Sequence, residues 1–204
     1  METTDKIKNA LNIYAFISQV NREMIRGKDK DSLFSKLCQL AVESGKFKIA
    51  WIGLFDFKNK ITLKYHSGLP STSEEINLFT IANKPQETVL QTGIHYLCNN
   101  INIAPEFSSF QNINSKINLQ SCIVLPIRQS GAITGTLNLY ATEIGFYEKE
   151  EIELLVDLSN DISFALDEFI LEEKHKEKKS FHLKLKNTFA TPLIICLKGF
   201  KFKI

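Results

Sequence analysis

Cysteine is the most reactive side-chain type in this sequence of 204 residues, and it occurs at Cys38, Cys98, Cys122 and Cys196. Zinc sites and disulfide frameworks place cysteines, or cysteine and histidine pairs, at short repeated spacings. These cysteines are far apart, with no Cys-x-x-Cys motif and no paired Cys/His spacing typical of zinc. The sequence therefore predicts no metal site and no disulfide framework, and buried strand cysteines are expected to pack as small hydrophobic residues.

Other catalytic motifs are absent from the sequence. It has no Gly-rich dinucleotide-binding motif, no phosphate-binding Gly-Lys-Ser/Thr loop, no Gly-x-Ser-x-Gly and no His-Glu-x-x-His. The clustered acids Glu148, Glu150, Glu151 and Glu153 fit the solvated first turn of a helix, where the helix dipole favours carboxylates. Since no nucleophile and base are brought together, we expect no catalytic residues and no enzymatic activity of this chain.

Composition indicates one globular domain with extensions. Hydrophobic residues make up 44% and charged residues 24% of the chain, and no apolar run approaches the ~20 residues of a membrane helix. The acidic start lacks the features of a secretory signal, so we expect a cytoplasmic protein. Residues 171–204 hold 9 of the 25 Lys and Arg but only 3 of the 23 Asp and Glu. A weakly acidic body with a basic tail does not fit a dedicated nucleic-acid binder.

Hydrophobic periodicity predicts helices at the start of the chain and hairpins after them. Apolar residues recur every three or four positions over 5–26, and Gly27 is a natural end for that helix. Asp31 or Ser32 is expected to cap a second helix that ends at Ser44. Also predicted are a hairpin of Phe47–Phe57 and Ile61–His66, helices at 73–81 and 85–93, a strand at 94–97, a polar connection at 99–120, a hairpin of Ser121–Arg128 and Ala132–Ala141, and a helix over 148–179.

This order of elements predicts an α+β domain with a central sheet between helical layers. The hairpin from Leu125 to Tyr140 contains Leu-Pro-Ile, Gly131 and Ile-Thr-Gly-Thr-Leu-Asn-Leu-Tyr, and Phe146–Leu155 and Asp161–Leu166 follow it. These motifs resemble the end of a GAF domain, and the likeness extends over about residues 8–170. It implies a GAF/PAS-like antiparallel sheet of five to six strands, with long N- and C-terminal helices on one face and short helices plus a long loop on the other.

The resemblance also implies a function. GAF domains are sensory or scaffolding modules of signalling proteins such as histidine kinases and diguanylate cyclases, and a change at their ligand site can shift the helix that leaves the domain. We therefore divide the chain into an N-terminal signalling and dimerisation helix (1–27), a GAF-like domain (28–170), and a charged helical linker with a truncated or irregular tail (171–204). We expect a homodimeric regulatory module, without a membrane span, whose output domain would belong to a longer parent protein.

The resemblance places a small ligand on one face of the sheet, beneath the third and fourth helices and the connection after them. Strand parity decides which matching residues point inward, and aromatic residues on strands more often form core than ligand site. The matching residues are Trp51, Tyr65, Tyr96, Cys98, Asn100, Phe107, Cys122 and Asn138.

No cofactor is predicted. The cyclic-nucleotide signature of the family cannot be assembled from this sequence, and no cysteine has an adjacent histidine for bilin attachment. A haem would need an axial histidine, but His66 and His95 at strand ends are expected to be ordinary, partly exposed imidazoles.

Two alternatives stay open. One GAF branch reduces free methionine sulfoxide with active cysteines, which would make Cys98 and Cys122 the reactive pair of a small redox enzyme. Against it, the matching stretch at 82–87 has no cysteine, and Cys122 lies inside a predicted strand instead of the loop before it. The other alternative is a structural dimerisation domain whose pocket is filled.

The terminal helices carry the predicted dimer contacts. The last helix follows an a/d seam for two and a half heptads before its sequence becomes charged after Ile170, where it should project into solvent. The tail after Phe181 contains Pro192 and an alternating end typical of a strand, with no obvious sheet to join. The predicted dimer residues are Leu11, Tyr14, Ile162, Leu166 and Phe169.

Overall fold

A computed structural model describes residues 2–27, 29–69, 84–110 and 117–198. Its internal contacts divide the chain into two compact units, residues 1–166 and 167–204. The first unit holds the sheet with its covering helices, and the described part of the second is helix. The predicted helix at 73–81 and the strand-like end at 200–204 lie outside the described residues.

Two helices begin the chain. Helix α1 spans Glu2–Arg26, and the Gly27 N–H donates to the Glu23 carbonyl at 2.6 Å as the helix ends. Helix α2 spans Lys30–Glu43 and is capped by Asp29, whose carboxylate accepts the Ser32 N–H at 2.8 Å. The predicted caps, Asp31 and Ser32, instead lie inside the first turn. Asp29 takes the cap position, and its carboxylate also accepts the Ser32 hydroxyl.

Five strands form one antiparallel sheet in the order β2-β1-β5-β4-β3. The strand count lies within the predicted five to six, and the mixture of sheet and helices is the expected α+β architecture. In the turn between β4 and β5, Ser130 and Gly131 both have positive φ, 51° and 83°, as the tightest hairpin turns require. The strands are β1 (Ile49–Phe55), β2 (Ile61–Ser67), β3 (Tyr96–Cys98), β4 (Ser121–Gln129) and β5 (Ala132–Ala141).

Different helices cover the two faces of the sheet. Helix α2 packs on β1 and β2, and its Phe34 ring meets Tyr65 edge-on with centroids 5.4 Å apart. Helix α3, Lys84–Thr92, packs on β3, β4 and β5. We call the side that carries Ile52 and Tyr65 the α2 face, and the opposite side the α3 face. Two short 3-10 segments, Ile101–Ile103 and Pro105–Phe110, follow β3.

An aromatic cluster joins α1 to the ends of the sheet. Phe16 of α1 contacts Phe47 just before β1, with centroids 5.9 Å apart. Phe47 in turn stacks on Tyr147, whose hydroxyl donates to the Leu139 carbonyl of β5 at 2.8 Å. These contacts fix the N-terminal helix against the sheet through rings that bury large areas.

The last helix, α4, spans Lys149–Lys198. Its residues Leu155, Leu158, Ile162 and Leu166 are buried in the first unit. The helix continues well past the predicted end near 179, because Leu and Lys residues after Ser180 favour helix and propagation needs no new nucleus. Pro192 is part of this helix, so the stretch that the sequence favoured as an irregular tail is helical up to 198. None of the described helices is long and apolar enough to cross a membrane.

Candidate functional site

A buried polar set lies between α3 and the central strands. The Gln86 side-chain amide of α3 donates to the Asn138 Oδ1 of β5 at 2.8 Å. The Asn138 amide nitrogen lies 3.2 Å from the Trp51 carbonyl oxygen and 3.0 Å from the Thr136 hydroxyl, to which it donates. Gln86 and Asn138 are at most 1% exposed. Because buried polar groups need partners, this set joins α3, β1 and β5.

Two atoms of this set have unmet hydrogen-bonding capacity. The indole Nε1 of Trp51 and the Oε1 of Gln86 make no hydrogen bond with the described residues. Burial raises the pKa of the Tyr140 hydroxyl well above its ordinary value, while hydrogen-bond interactions with the Trp51 and Gln86 side chains act in the opposite direction. The Tyr140 hydroxyl thus lies close to both side chains, although neither Trp51 Nε1 nor Gln86 Oε1 makes a hydrogen bond of ordinary geometry with the described residues.

Most predicted ligand residues lie on the α3 face. Trp51 pairs with Asn138 across β1 and β5, so both side chains share that face. One buried cluster includes Trp51, Cys98, Phe107 and Cys122, and Tyr96 packs against its edge. The covering segment thus contributes Phe107 to this cluster.

Two predicted residues do not join that site. Tyr65 lies on the α2 face, where its hydroxyl donates to Asp31, and burial followed by this contact raises the Tyr65 pKa to about 12. A register shift opposite Ile52 and Gly53 leaves Lys64 unpaired, and this bulge reverses the alternation of β2. Asn100 instead caps the first 3-10 segment, since its side chain accepts the Asn102 N–H at 3.2 Å.

The two central cysteines are cross-strand neighbours. Cys98 of β3 stands directly opposite Cys122 of β4, so both side chains lie on the α3 face. The interaction with Cys122, opposed by burial and assisted by the Asn100 backbone N–H, lowers the Cys98 pKa to about 7. Burial raises the Cys122 pKa well above its ordinary value. Cys98 and Cys122 both belong to the buried core, as expected of small hydrophobic residues, but their pKa values shift in opposite directions.

A tyrosine–carboxylate pair adjoins these thiols. The Tyr96 hydroxyl donates to the Glu106 carboxylate, which lowers the pKa of Glu106, and the charge of Lys84 acts in the same direction. Burial and then the Glu106 bond raise the Tyr96 pKa far above its usual range. Tyr96 is consequently a neutral hydrogen-bond donor at any ordinary pH.

The sequence predicts that the acids at the start of α4 are solvated, and the structure differs from this for Glu151. The Glu148 carboxylate pairs with Lys6 of α1 at 2.5 Å. Glu151 is only 9% exposed, although it belongs to the same first turn. Glu148, Glu150 and Glu153 are exposed, so the expected solvated turn holds for all of these acids except Glu151.

The predicted dimer residues separate into two groups. Leu11 and Tyr14 are 63% and 55% exposed, and Ile7 completes a stripe along one side of α1. Ile162 and Leu166 are buried in the chain's own core, so they are not available to a partner in the folded monomer. Phe169 is partly buried. The apolar seam of α4 is used to build the domain, whereas exposed hydrophobic residues remain on α1 and at Phe164, Leu171 and Phe181 of α4.

Sequence reasoning missed Gln86 and Arg128. Gln86 follows Pro85 in a short helix, and a polar residue there carries no signal until strand pairing brings Asn138 beneath it. The Arg128 guanidinium donates to the Gly93 carbonyl at the end of α3 at 2.5 Å, while its backbone N–H donates to the Ser163 hydroxyl of α4 at 2.9 Å. Arg128 therefore connects α3 to α4 through β4.

This sheet, with helices on both faces and a polar set under α3, defines an α+β domain. A family model described as GAF domain matches residues 27–167, so the chain belongs to the GAF domain family. A search of curated proteins gives no significant sequence match.

Solved structures share the fold at low sequence identity. The GAF domain from a phosphoenolpyruvate-protein phosphotransferase of Coxiella burnetii is 14% identical, with a TM-score of 0.65 over 81% of this chain and 99% of that one. The free methionine-R-sulfoxide reductase from Neisseria meningitidis, solved with its substrate, is 14% identical, with a TM-score of 0.62 over 78% and 90%. A domain of a putative two-component sensor histidine kinase from Sinorhizobium meliloti is 12% identical, with a TM-score of 0.55 over 72% and 97%. These similarities establish the fold, and both signalling domains and enzymes share it.

Proposed function

We propose that this chain is a non-catalytic regulatory module that binds a small polar ligand on the α3 face and passes its state through α4. The observation that carries the proposal is the buried donor and acceptor, Trp51 Nε1 and Gln86 Oε1, which lack partners among the described residues. Each such group costs about 1–3 kcal/mol when left unpaired. An occupant that supplies an acceptor to the indole and a donor to the amide would recover that cost.

Arg128 provides the route from the ligand side to the output helix. Its guanidinium holds the carbonyl of Gly93 just after α3, and its own N–H holds Ser163 on α4. Ser163 in turn donates to the Ser159 carbonyl one turn earlier, and the Ser159 hydroxyl donates to the Pro126 carbonyl of β4. A displacement of α3 by an occupant would therefore be transmitted to α4 through the hydrogen bonds of Arg128 and Ser163.

The chain contains one tryptophan, Trp51, which makes the test direct. Small molecules released from purified, denatured protein are identified by mass spectrometry, and candidates are titrated back while Trp51 emission and the unfolding midpoint are followed. We expect a bound compound to change the emission and raise the midpoint. Gln86→Leu should abolish both responses, whereas Gln91→Leu, at an exposed position of the same helix, should retain them.

A filled, purely structural domain would behave differently. No compound would be recovered, and no polar ligand would change Trp51 emission or raise the unfolding midpoint. That combination would contradict ligand sensing on the α3 face.

We further propose that a second copy of the chain covers the stripe of Ile7, Leu11 and Tyr14. These side chains are each more than half exposed and lie at helical spacing on α1. Leu11→Glu with Tyr14→Glu should convert dimers to monomers in light scattering. Ile25→Glu, on the same helix and 86% exposed, is the matched control and should stay dimeric. Monomers at all concentrations of the unaltered protein would contradict the proposal.

A sulfoxide reductase remains the second candidate, because Cys98 and Cys122 stand directly opposite each other on β3 and β4. In that role the Cys98 thiolate would attack the sulfoxide sulfur, methionine would leave, and Cys122 would resolve the sulfenic acid. The test supplies free methionine sulfoxide and a dithiol reductant and measures methionine. Sustained release that Cys98→Ser abolishes would favour the enzyme, and no turnover would remove it.

A further inference from the structure

The Cys98–Cys122 pair has the backbone arrangement of a closable disulfide. Directly opposed residues of antiparallel strands have Cα atoms about 4.5–5.5 Å apart, inside the range of disulfides. The two side chains point to the same face and belong to the same buried cluster. Strand β3 is a three-residue edge strand that, among the described strands, pairs only with β4, so it can approach β4 without disturbing another of them.

We propose that Cys98 and Cys122 form a site of reversible modification by hydroperoxides, at which an intramolecular disulfide closes between β3 and β4. This proposal goes beyond ligand binding, and it requires no sulfoxide substrate.

The surroundings assign different roles to the two sulfur atoms. Cys98 is 8% exposed at the sheet edge, receives the Asn100 backbone N–H, and lies beside the Tyr96 hydroxyl, so its thiolate is the stabilised one. Cys122 is fully buried behind it and remains a thiol. Cys38 of α2 shows the contrast, since burial raises its pKa to about 12 and the structure describes no second thiol beside it. Cys98 is therefore the attacking group and Cys122 the resolving group.

The oxidation proceeds in two steps, formation of a sulfenic acid and then of the disulfide. The Cys98 thiolate attacks an oxygen of ROOH, the O–O bond breaks, and the departing oxygen takes a proton and leaves as ROH, which gives a sulfenic acid. Cys122 then loses its proton and attacks the Cys98 sulfur, and the hydroxyl leaves as water. Together the two thiols lose two electrons and two protons, and the peroxide is reduced to an alcohol and water. A dithiol reductant reverses the change.

Closure would fix the segment that covers the α3 face. Ile101 and Phe107, which follow Cys98 in the two 3-10 segments, belong to the same buried cluster as Trp51. A covalent link at the start of this segment would restrict its movement away from the sheet. The modification therefore acts at the edge of the buried polar set without involving the α2 face.

The experiment treats the purified chain with one equivalent of hydrogen peroxide, alkylates the remaining thiols after unfolding, and maps peptides without reduction. We expect a Cys98–Cys122 cross-link within a single chain, loss of two hydrogen atoms from the intact mass, and reversal by dithiothreitol. Cys38 should be recovered as a free, alkylated thiol. A cross-link between chains, or a disulfide that joins other cysteines, would overturn the proposal.

Variants separate the two steps. In Cys122→Ala the sulfenic acid at Cys98 should persist and be trapped by dimedone, whereas Cys98→Ser should leave Cys122 unoxidised under the same treatment. Equal peroxide reactivity in Cys98→Ser and the unaltered protein would overturn the assignment. Peptide mapping of the unaltered protein decides the question even if Cys122→Ala does not fold. Replacing peroxide by methionine sulfoxide distinguishes this site from a reductase, since the disulfide should then fail to form.

Discussion

The two faces of the same sheet differ in what they bury. On the α2 face, Ile52 and Leu137 lie opposite each other and Phe34 packs from α2, so the buried contacts there are largely apolar. The α3 face also buries an apolar cluster that includes Trp51 and Phe107, but it adds an amide network and the opposed thiols of Cys98 and Cys122. Both faces therefore remove apolar area from water, while the α3 face also leaves polar capacity unmet. The groups that could bind or react are concentrated on the α3 face.

The largest expected effect comes from the α2 face. Phe34 is fully buried, so Phe34→Ala should lower the free energy of unfolding by about 3–5 kcal/mol, as lost transfer free energy and a residual cavity predict. Urea unfolding measures the change. Trp51 emission in the folded state and disulfide closure at Cys98 should be unaltered, and a changed emission would show that the two faces are not independent.

A smaller stability loss but a larger functional loss is expected on the α3 face. Gln86→Leu leaves the buried Asn138 Oδ1 without its donor and should cost about 1–3 kcal/mol. Binding of any compound recovered from the protein should be abolished, as measured by Trp51 emission. A loss above that of Phe34→Ala would mean that the polar set is primarily structural.

The connection between α3 and α4 is expected to matter least for stability. Ser163→Ala removes the acceptor of the Arg128 N–H and should cost about 0.5–1.5 kcal/mol. Ligand affinity should be retained, but the ligand-dependent change in hydrogen exchange along α4 should disappear. Ser180→Ala, on the exposed part of the same helix, is the control. An unchanged exchange response in Ser163→Ala would place the coupling elsewhere.

The fold could be predicted from the sequence further than the site could. The two hairpins and the terminal helices have strong periodicity and turn residues such as Gly131, and the structure confirms the α+β architecture. Tyr65 could not be placed correctly, because a single unpaired residue in β2 reverses the parity on which its assignment depended. Ile162 and Leu166 of α4 were likewise misassigned to a dimer interface. Periodicity identifies an apolar helix face, but it does not show whether the domain itself or a partner covers that face.

Pairing across strands was the other missing information. Cys98 and Cys122 are 24 positions apart, and their contact depends on the register of a three-residue edge strand. Gln86 reaches Asn138 only after β5 lies beneath α3. These contacts are products of tertiary structure, and one sequence contains no local signal for them.

The smallest expected effect is a pH dependence that compares the thiols of the two faces. The Cys98 pKa is lowered from 9.0 to about 7 and the Cys38 pKa is raised to about 12, so alkylation of Cys98 in the folded protein should rise through pH 7 while Cys38 stays unreactive. The groups around Cys98 are Cys122 of β4, Tyr96, Tyr140 and Glu106. Of these, only Glu106 is charged near neutral pH, and its negative charge opposes the thiolate.

The same shift makes the stability of the protein depend on pH. Because a lowered pKa of Cys98 in the folded state favours folding once the thiol ionises, its contribution to stability should be present above pH 9 and fade as pH falls through 7. Cys122→Ala should move the alkylation midpoint upward, since it removes the largest cause of the shift, and a midpoint that stays near 7 would show that the cross-strand thiol does not stabilise Cys98.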